Sequence, residues 1–492
     1  MDSGNIFMLV AIMIYFAAML AIGFWANRRT NDLSDYMLGG RNLSPTVAAL
    51  SAGASDMSGW LMMGLPGALY VTGLADAWIA IGLTAGAWLN WKFVAPRLRT
   101  YTEIAQNSIT IPSFLENRLK DRSRMLRVIA GSLILVFFTF YVSSGMVAGG
   151  VFFENSFGSS YHLGMLLVAG VTVAYTLFGG FLGASYTDMM QGLLMMVALL
   201  LVPILGLIHV GGPAAMVDTV TQVNPHAFSL FAGTSVVVVV SGLAWGLGYF
   251  GQPHIIVRFM ALRSAADATA GRRIGIGWMI VSLVGAVFTG LTGLAYFTQH
   301  PDLTLDNPEA VFLAMAQLVF HPFIAGFVLA AVLAAIMSTV SSQLIVCSSA
   351  LVEDLTKIGL KRELSPRLQV WLGRGGVFVV AIIAMALAWT QNNTILKLVA
   401  FAWAGFGASF GPIILLSLFW KRLTTPGTIA GMLSAAVTVF VWHYSSWSAL
   451  YEIVPGFIVN VIVAVVVSLL TKAPDIDTEF DEAAELAAAR AF

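Results

Sequence analysis

Cysteine is nearly absent from this 492-residue chain: Cys347 stands alone, which excludes an internal disulfide and any cysteine-cluster metal site. Charge is scarce as well. Only 10% of residues are charged, and 25 basic and 25 acidic side chains balance to a formal net charge of zero, so nothing points to a nucleic-acid partner. No G-x-x-x-x-G-K-[ST] phosphate loop occurs and no soluble catalytic domain is evident, which argues against an ATP-driven pump. His162, His209, His226, His254, His300, His321 and His443 are scattered without paired spacing, so haem or quinone ligation has no support and the chain is not read as an enzyme. Nothing calls for an obligate protein partner.

What is abundant is hydrocarbon. At 58% hydrophobic residues the chain lies well beyond the roughly 45–50% of soluble domains, and its mean hydropathy is +0.85. Apolar runs long enough to cross a bilayer recur throughout, so the expectation is an all-α integral membrane protein with membrane lipid as its solvent. Thirteen candidate spans, numbered 1 to 13 in chain order, fall at 5–26, 46–72, 77–95, 127–152, 162–180, 186–210, 231–257, 274–297, 322–350, 370–390, 395–420, 427–445 and 451–471. The first run follows an acidic start and exceeds a signal-peptide core, so it reads as a retained helix.

Orientation follows from the loops. With thirteen spans, 24 of the 25 lysines and arginines share one side and only Lys397 is left on the other. Basic residues accumulate on the cytoplasmic side, which places the N-terminus outside and the C-terminus inside a bacterial cytoplasmic membrane. Residues 307–320, opened by Pro308, are amphipathic and too short to span, and read as an external interfacial helix. The acidic stretch 473–492 reads as a mobile cytoplasmic tail.

One stretch breaks the apolar pattern. Residues 51–67 place Asp56, three serines, several glycines and Pro66 inside span 2. A carboxylate at mid-membrane costs about 2.5–3.5 kcal/mol even on insertion scales, and irregular backbone at that depth is tolerated only where protein or a cavity surrounds it. A binding site explains both. If the chain is built from two inverted five-helix halves, the equivalent of span 2 is span 7, and 241–254 there carries Gly246, Gly248, Gly251 and Pro253. In span 9, Ser338, Ser341 and Ser342 recur at helical spacing beside Thr339. These hydroxyls suit close helix packing, and equally a monovalent-cation site completed by free carbonyls.

The motifs SDMSGWLMMGLPG (55–67), WGLGYFGQPH (245–254) and AAIMSTVSSQL (334–344) resemble the sodium/solute symporter family, and within it the proline-transporting branch of bacteria. The resemblance runs through essentially all thirteen spans. It implies a leucine-transporter-type 5+5 inverted repeat with two interrupted helices. The corresponding division is 1–45, first helix and loop; 46–210 and 211–420, the two repeats; 421–472, two further helices; and 473–492, the tail. It implies sodium-coupled uptake of L-proline by alternating access. Another small carboxylate or amino acid, coupled to sodium or protons, is the alternative. Sodium as the coupling ion would sit on the carbonyls of Ala54, Met57 and Ala335 and the hydroxyls of Ser338 and Thr339. Asp56 and Asp188 match acidic positions tied to coupling; a helix-break cap for Asp56 and an N-cap for Asp188 are the plainer readings. The substrate would meet Ser58, Gly59, Trp60, Tyr141, Trp245, Tyr249, Phe250, Gln252 and Pro253. Free N–H groups at a half-helix suit a carboxylate, and aromatic faces suit a compact apolar ring with a cationic amine. That set is too apolar to favour a sugar.

Overall fold

Helix after helix in this chain opens on serine or threonine followed closely by proline. Ser44 precedes Pro45 and accepts the N–H of Val47, and Ser365 precedes Pro366 and accepts that of Leu368. The hydroxyl satisfies a free N–H of the first turn, and proline there gives up a donor that had no partner. The computed structural model describes residues 3–28, 33–356, 365–391 and 393–490. Arg29, Lys357, Lys361 and Arg362, counted above among the cytoplasmic charges, lie outside the described residues.

Ten helices among the described residues are long and apolar enough to cross a membrane, and an eleventh crossing is the bent pair Val236–Gly251 and Pro253–Met260. Two of the ten are too long for one crossing. Pro45–Ile104 has 60 residues and Tyr161–Val210 has 50, about 90 and 75 Å of helix against a hydrocarbon core of about 30 Å. Each contains a glycine that leaves helical geometry: Gly73 at φ 75°, ψ −154° and Gly180 at φ 57°, ψ −158°. Dividing the two helices at these glycines recovers thirteen crossings. Gly180 is also where span 5 was expected to end, although helix resumes at once rather than at residue 186.

The interrupted helices have different breaks. Span 2 runs helically to Ser58, which takes φ 49°, ψ −169°, and then continues as a π-helical turn, Trp60–Gly64, before Leu65–Thr72. Span 7 narrows into a 3-10 turn, Trp245–Gly251, and becomes extended at Gln252 before Pro253 restarts the helix at a 47° bend. Spans 3 and 7 approach backbone to backbone through Gly82 and Gly86 on one and Gly242 and Gly246 on the other. Small residues four apart permit such contact in a membrane, where close packing must replace the hydrophobic effect.

Three expectations change at the periphery. The external segment is a short 3-10 turn, Pro308–Ala310, followed by Val311–Val319. Its apolar face is buried rather than interfacial, because Met315 finds Gly206 of span 6 and Gly293 of span 8 to pack on. Glu309 is buried there too and accepts the N–H groups of Ile395 and Leu396 at 3.0 and 3.1 Å, capping span 11. Burial raises its pKa above the ordinary carboxylate value, against the opposing pull of those two N–H groups.

The acidic tail is not a free end. Asp477–Arg490 is a helix that lies on 95–104, and its buried Phe480, Ala483 and Ala487 form a stripe with Ile476 just before it. Glu479 pairs with Lys120, and Asp481 with Lys421 at 2.7 Å. The basic loop residues, finally, are not all solvated. Arg118 donates to the carbonyls of Ser417 and Trp420, each at 3.0 Å, and Arg41 reaches Thr102 and the carbonyl of Met260. Arg258 is buried in the helix Pro253–Met260.

Candidate functional site

The break at Ser58 puts the last carbonyls of the first half-helix against span 9. Ser338 Oγ donates to the carbonyl of Ala54 at 2.8 Å and to that of Ala335 at 3.2 Å, and Thr339 Oγ1 donates to Ala335 O at 3.2 Å. Four of the five oxygens assigned to the cation therefore converge, all of them buried and neutral. The fifth, Met57 O, accepts the N–H of Trp60 across the break. Neutral oxygens of this kind replace the hydration shell of a monovalent cation without any deprotonation.

Asp56 lies on the other side of the same half-helix. Its carboxylate accepts the hydroxyl of Tyr249 from span 7, while Tyr141 Oη approaches its carbonyl at 3.4 Å. It lines a small cavity with Met57, Trp91, Tyr249, Ile276 and Met279, and its carboxylate bonds Tyr249, whereas Ser338 and Thr339 bond Ala54 O and Ala335 O. Asp56 thus ties the two interrupted helices together; a cap bonded to backbone N–H groups is not what forms. Ser58 takes that part instead, with its hydroxyl accepting the N–H of Trp60 at 3.1 Å.

The aromatic residues assigned to the substrate divide into two groups. Trp60 and Trp245 stack at 5.8 Å across the two breaks, and Trp245 stacks in turn on Tyr451 at 5.2 Å. Trp403 of span 11 closes the group: its Nε1 donates to Trp245 O at 2.8 Å, its ring meets Tyr249 edge-on at 5.2 Å, and its carbonyl accepts the amide of Gln252. Trp60 Nε1 and Gln252 Oε1 are buried here with no hydrogen-bond partner. Gly59 is pressed between Ala148 and Ile336. Phe250 and Pro253 stand apart. Phe250 is buried beside Gly411 of span 11, and Pro253 lines a separate small cavity with Thr110, Val257 and Asp354.

Asp188 does not cap a helix. It sits within the helix that follows Gly180, fully buried, and pairs with Arg258 at 3.0 Å. Ser51 donates to it at 2.8 Å, while Arg258 also bonds Ser51, Ser342 and the carbonyl of His254. One ion pair thereby joins spans 2, 6, 7 and 9. Sequence reading missed Arg258, Trp403 and Tyr451. The arginine could be mistaken for one more cytoplasmic charge at a span end, and the two aromatics lie on spans with no break to draw attention.

Residues 36–435 match the family described as the sodium:solute symporter family. The high-affinity proline transporter PutP of Bacillus subtilis (strain 168) is 59% identical over 457 residues, 93% of this chain and 96% of the relative. The osmoregulated proline transporter OpuE of the same organism and a sodium/proline symporter of Staphylococcus aureus (strain JH9) are each 50% identical, over 96% of this chain and 96% and 94% of those proteins. In fold, the chain superposes on a sodium-coupled sialic acid symporter in a substrate-bound outward-open state with a TM-score of 0.81, at 21% identity over 95% of this chain and 98% of that one. A nucleobase-cation-symport-1 family transporter in a closed conformation follows at 0.53 and 13% identity, over 92% and 99%. The architecture is therefore the leucine-transporter type, and the chain belongs to the sodium:solute symporter family of membrane transporters.

Proposed function

We propose that this protein carries L-proline into the bacterial cell together with sodium, which is a co-substrate rather than a resident cofactor. The observation that carries the reading is the meeting of Ala54 O, Ala335 O, Ser338 Oγ and Thr339 Oγ1 at the break of span 2, in a chain so similar to named proline transporters. Met57 O completes the set once the break adjusts around the ion. Sodium draws span 2 and span 9 together and takes Met57 O from the Trp60 N–H, so that the N–H groups at Ser58, Gly59 and Trp60 turn to the substrate carboxylate.

The pyrrolidine ring then lies against Trp60, Trp245 and Tyr249, where aromatic faces favour both the ring and its cationic amine. Tyr141 and Gln252 border this space, while Phe250 and Pro253, which stand apart from it, would reach the substrate only after span 7 moves. Asp56 couples the events, since its bond to Tyr249 links the cation-binding half-helix to the substrate-binding one. Asp188, through Arg258 and Ser51, closes the inner side until the halves rock apart.

Segments 46–210 and 211–420 are the two inverted repeats in this reading, with 1–45, 421–472 and the tail 473–492 as additions. The N-terminus faces outward, by the distribution of basic residues. One charge crossing 100 mV supplies about 2.3 kcal/mol, which allows roughly 40- to 50-fold accumulation before the sodium gradient contributes. The deciding experiment is uptake of labelled proline into sealed vesicles, with sodium or choline outside and a panel of amino and carboxylic acids as competitors. Sodium-dependent uphill accumulation that only proline and its close analogues inhibit is the expected result. Accumulation driven equally well without sodium, or downhill equilibration alone, would refute it.

A further inference from the structure

Away from the transport site, spans 3 and 8 leave a groove of about 740 Å³ on the surface that faces the membrane. Small residues open it. Ala77, Ala80 and Ala85 of span 3 lie opposite Ile280, Val284 and Phe288 of span 8, whose larger side chains form its far wall. Thr84 is the one hydroxyl in the lining, and it already donates to Ala80 O at 2.8 Å. The groove thus asks for hydrocarbon.

One end of it is charged. Trp88 closes the groove, and two cations converge on its ring: Lys92 Nζ at 4.6 Å and the Arg272 guanidinium at 5.8 Å. Among the described residues neither cation has a carboxylate within ion-pair distance, and the acid in the first turn of span 8, Asp267, is bonded to Arg263. Lys92 and Arg272 lie at the span ends on the basic side of the protein, where a phosphate headgroup would be found.

We infer that this groove is a site for an anionic phospholipid, with an acyl chain along the alanines and the phosphate between Lys92 and Arg272. Charge complementarity selects that occupant over a neutral lipid or a second copy of the chain, because among the described residues the two cations meet an aromatic ring and no carboxylate. The site bears on transport. Ile276 lines both the groove and the cavity that holds Asp56, and Ala87 and Trp91 wall that cavity from the same stretch of span 3. A lipid bridging the two helices holds them as one wall beside Asp56.

The test is native mass spectrometry of the purified full-length protein titrated with phosphatidylglycerol or phosphatidylcholine, a readout independent of sodium and proline and hence of the function proposed above. At about a decade of affinity per 1.4 kcal/mol and the usual contribution of a basic residue at an anionic surface, phosphatidylglycerol should bind about 30-fold more tightly. Lys92→Gln with Arg272→Gln should abolish that preference, whereas Lys92→Arg with Arg272→Lys should retain it. Ala85→Trp, which fills the groove and leaves both cations, should remove binding of either lipid. Equal affinity for the two lipids in the unaltered protein, or an unchanged preference in the Gln pair, would overturn the proposal. So would spontaneous cross-linking of two chains through Ala85→Cys, since the groove would then be an interface between copies.

Discussion

In the cation site proposed above, Ser338 and Thr339 would supply oxygen without charge. Ser338 faces the carbonyl of Ala54 on the broken helix, both hydroxyls also bond Ala335 O of their own helix, and removing either would leave the proposed ion short of an oxygen. Ser338→Ala or Thr339→Ala should raise the sodium concentration for half-maximal uptake about 10-fold, at roughly one decade per 1.4 kcal/mol. Unchanged sodium dependence in both would remove them from the site. Arg258 makes the opposite case. Deleting it leaves the Asp188 carboxylate buried without its counter-charge, at a cost of about 3–5 kcal/mol, whereas apolar replacement of both partners is far milder. Arg258→Met should therefore sharply reduce the yield of folded protein, and Asp188→Leu in the same chain should restore it; a double variant no better than the single one would refute a paired role. The serines and threonine were legible from helical spacing and family resemblance. The ion pair was not, because its members are 70 residues apart and nothing local marks them as neighbours.

At the scale of the element, glycine positions separate packing from propensity. A β-carbon at Gly86 would run into the carbonyl of Gly246, so spans 3 and 7 could not keep their present approach. Gly170 and Gly277 have open space where a β-carbon would go. Gly86→Ala should lower stability by about 1–3 kcal/mol through overpacking, while Gly170→Ala and Gly277→Ala should be neutral or gain up to about 1 kcal/mol of helix propensity. Thermal unfolding in detergent reads the difference, and an equal effect of all three would sink the argument. The breaks themselves were visible in the sequence as glycine, serine and proline inside apolar runs. Their conformations were not. The π turn at Trp60–Gly64 and the 3-10 turn at Trp245–Gly251 are set by what packs against each: the first passes Ile336 of span 9, the second passes Trp403 and Gly407 of span 11.

For the whole molecule, both faces carry a latch. On the face away from the basic loops, Glu309 fastens the segment 308–319 to the start of span 11. On the basic face, the tail helix inserts Phe480 beside Tyr101 with Arg97, Arg118 and Lys421 around its ring. The ion pairs of the tail are exposed and count for little in salt, so the aromatic anchor dominates. Phe480→Ala should release the helix, seen as fast hydrogen exchange over 477–490, whereas Glu479→Gln should alter exchange by less than about fivefold. Similar exchange in the two variants would mean that charge, not burial, holds the tail. The composition of 473–492 suggested a solvated end because its acids are conspicuous. The stripe of Ile476, Phe480, Ala483 and Ala487 is sparse, and becomes meaningful only when 95–104 is there to receive it.

Sequence alone determined the class of this protein, the spans and the basic side, because a bilayer imposes long apolar runs and a charge asymmetry that any reader of the chain can count. It also located the two interrupted helices, since broken backbone at membrane depth needs glycine, proline or a hydroxyl nearby. Tertiary structure decided which polar atoms meet. Ala54 O and Ser338 Oγ are 284 residues apart, and Asp56 and Tyr249 are 193 apart. Hydrogen bonds and ion pairs act over about 3 Å, so roles that depend on them are fixed only when the helices have packed. For that reason the most conspicuous residue in the sequence, Asp56, is bonded to an aromatic hydroxyl, and the cation site proposed for this protein falls to oxygens that look ordinary in the chain.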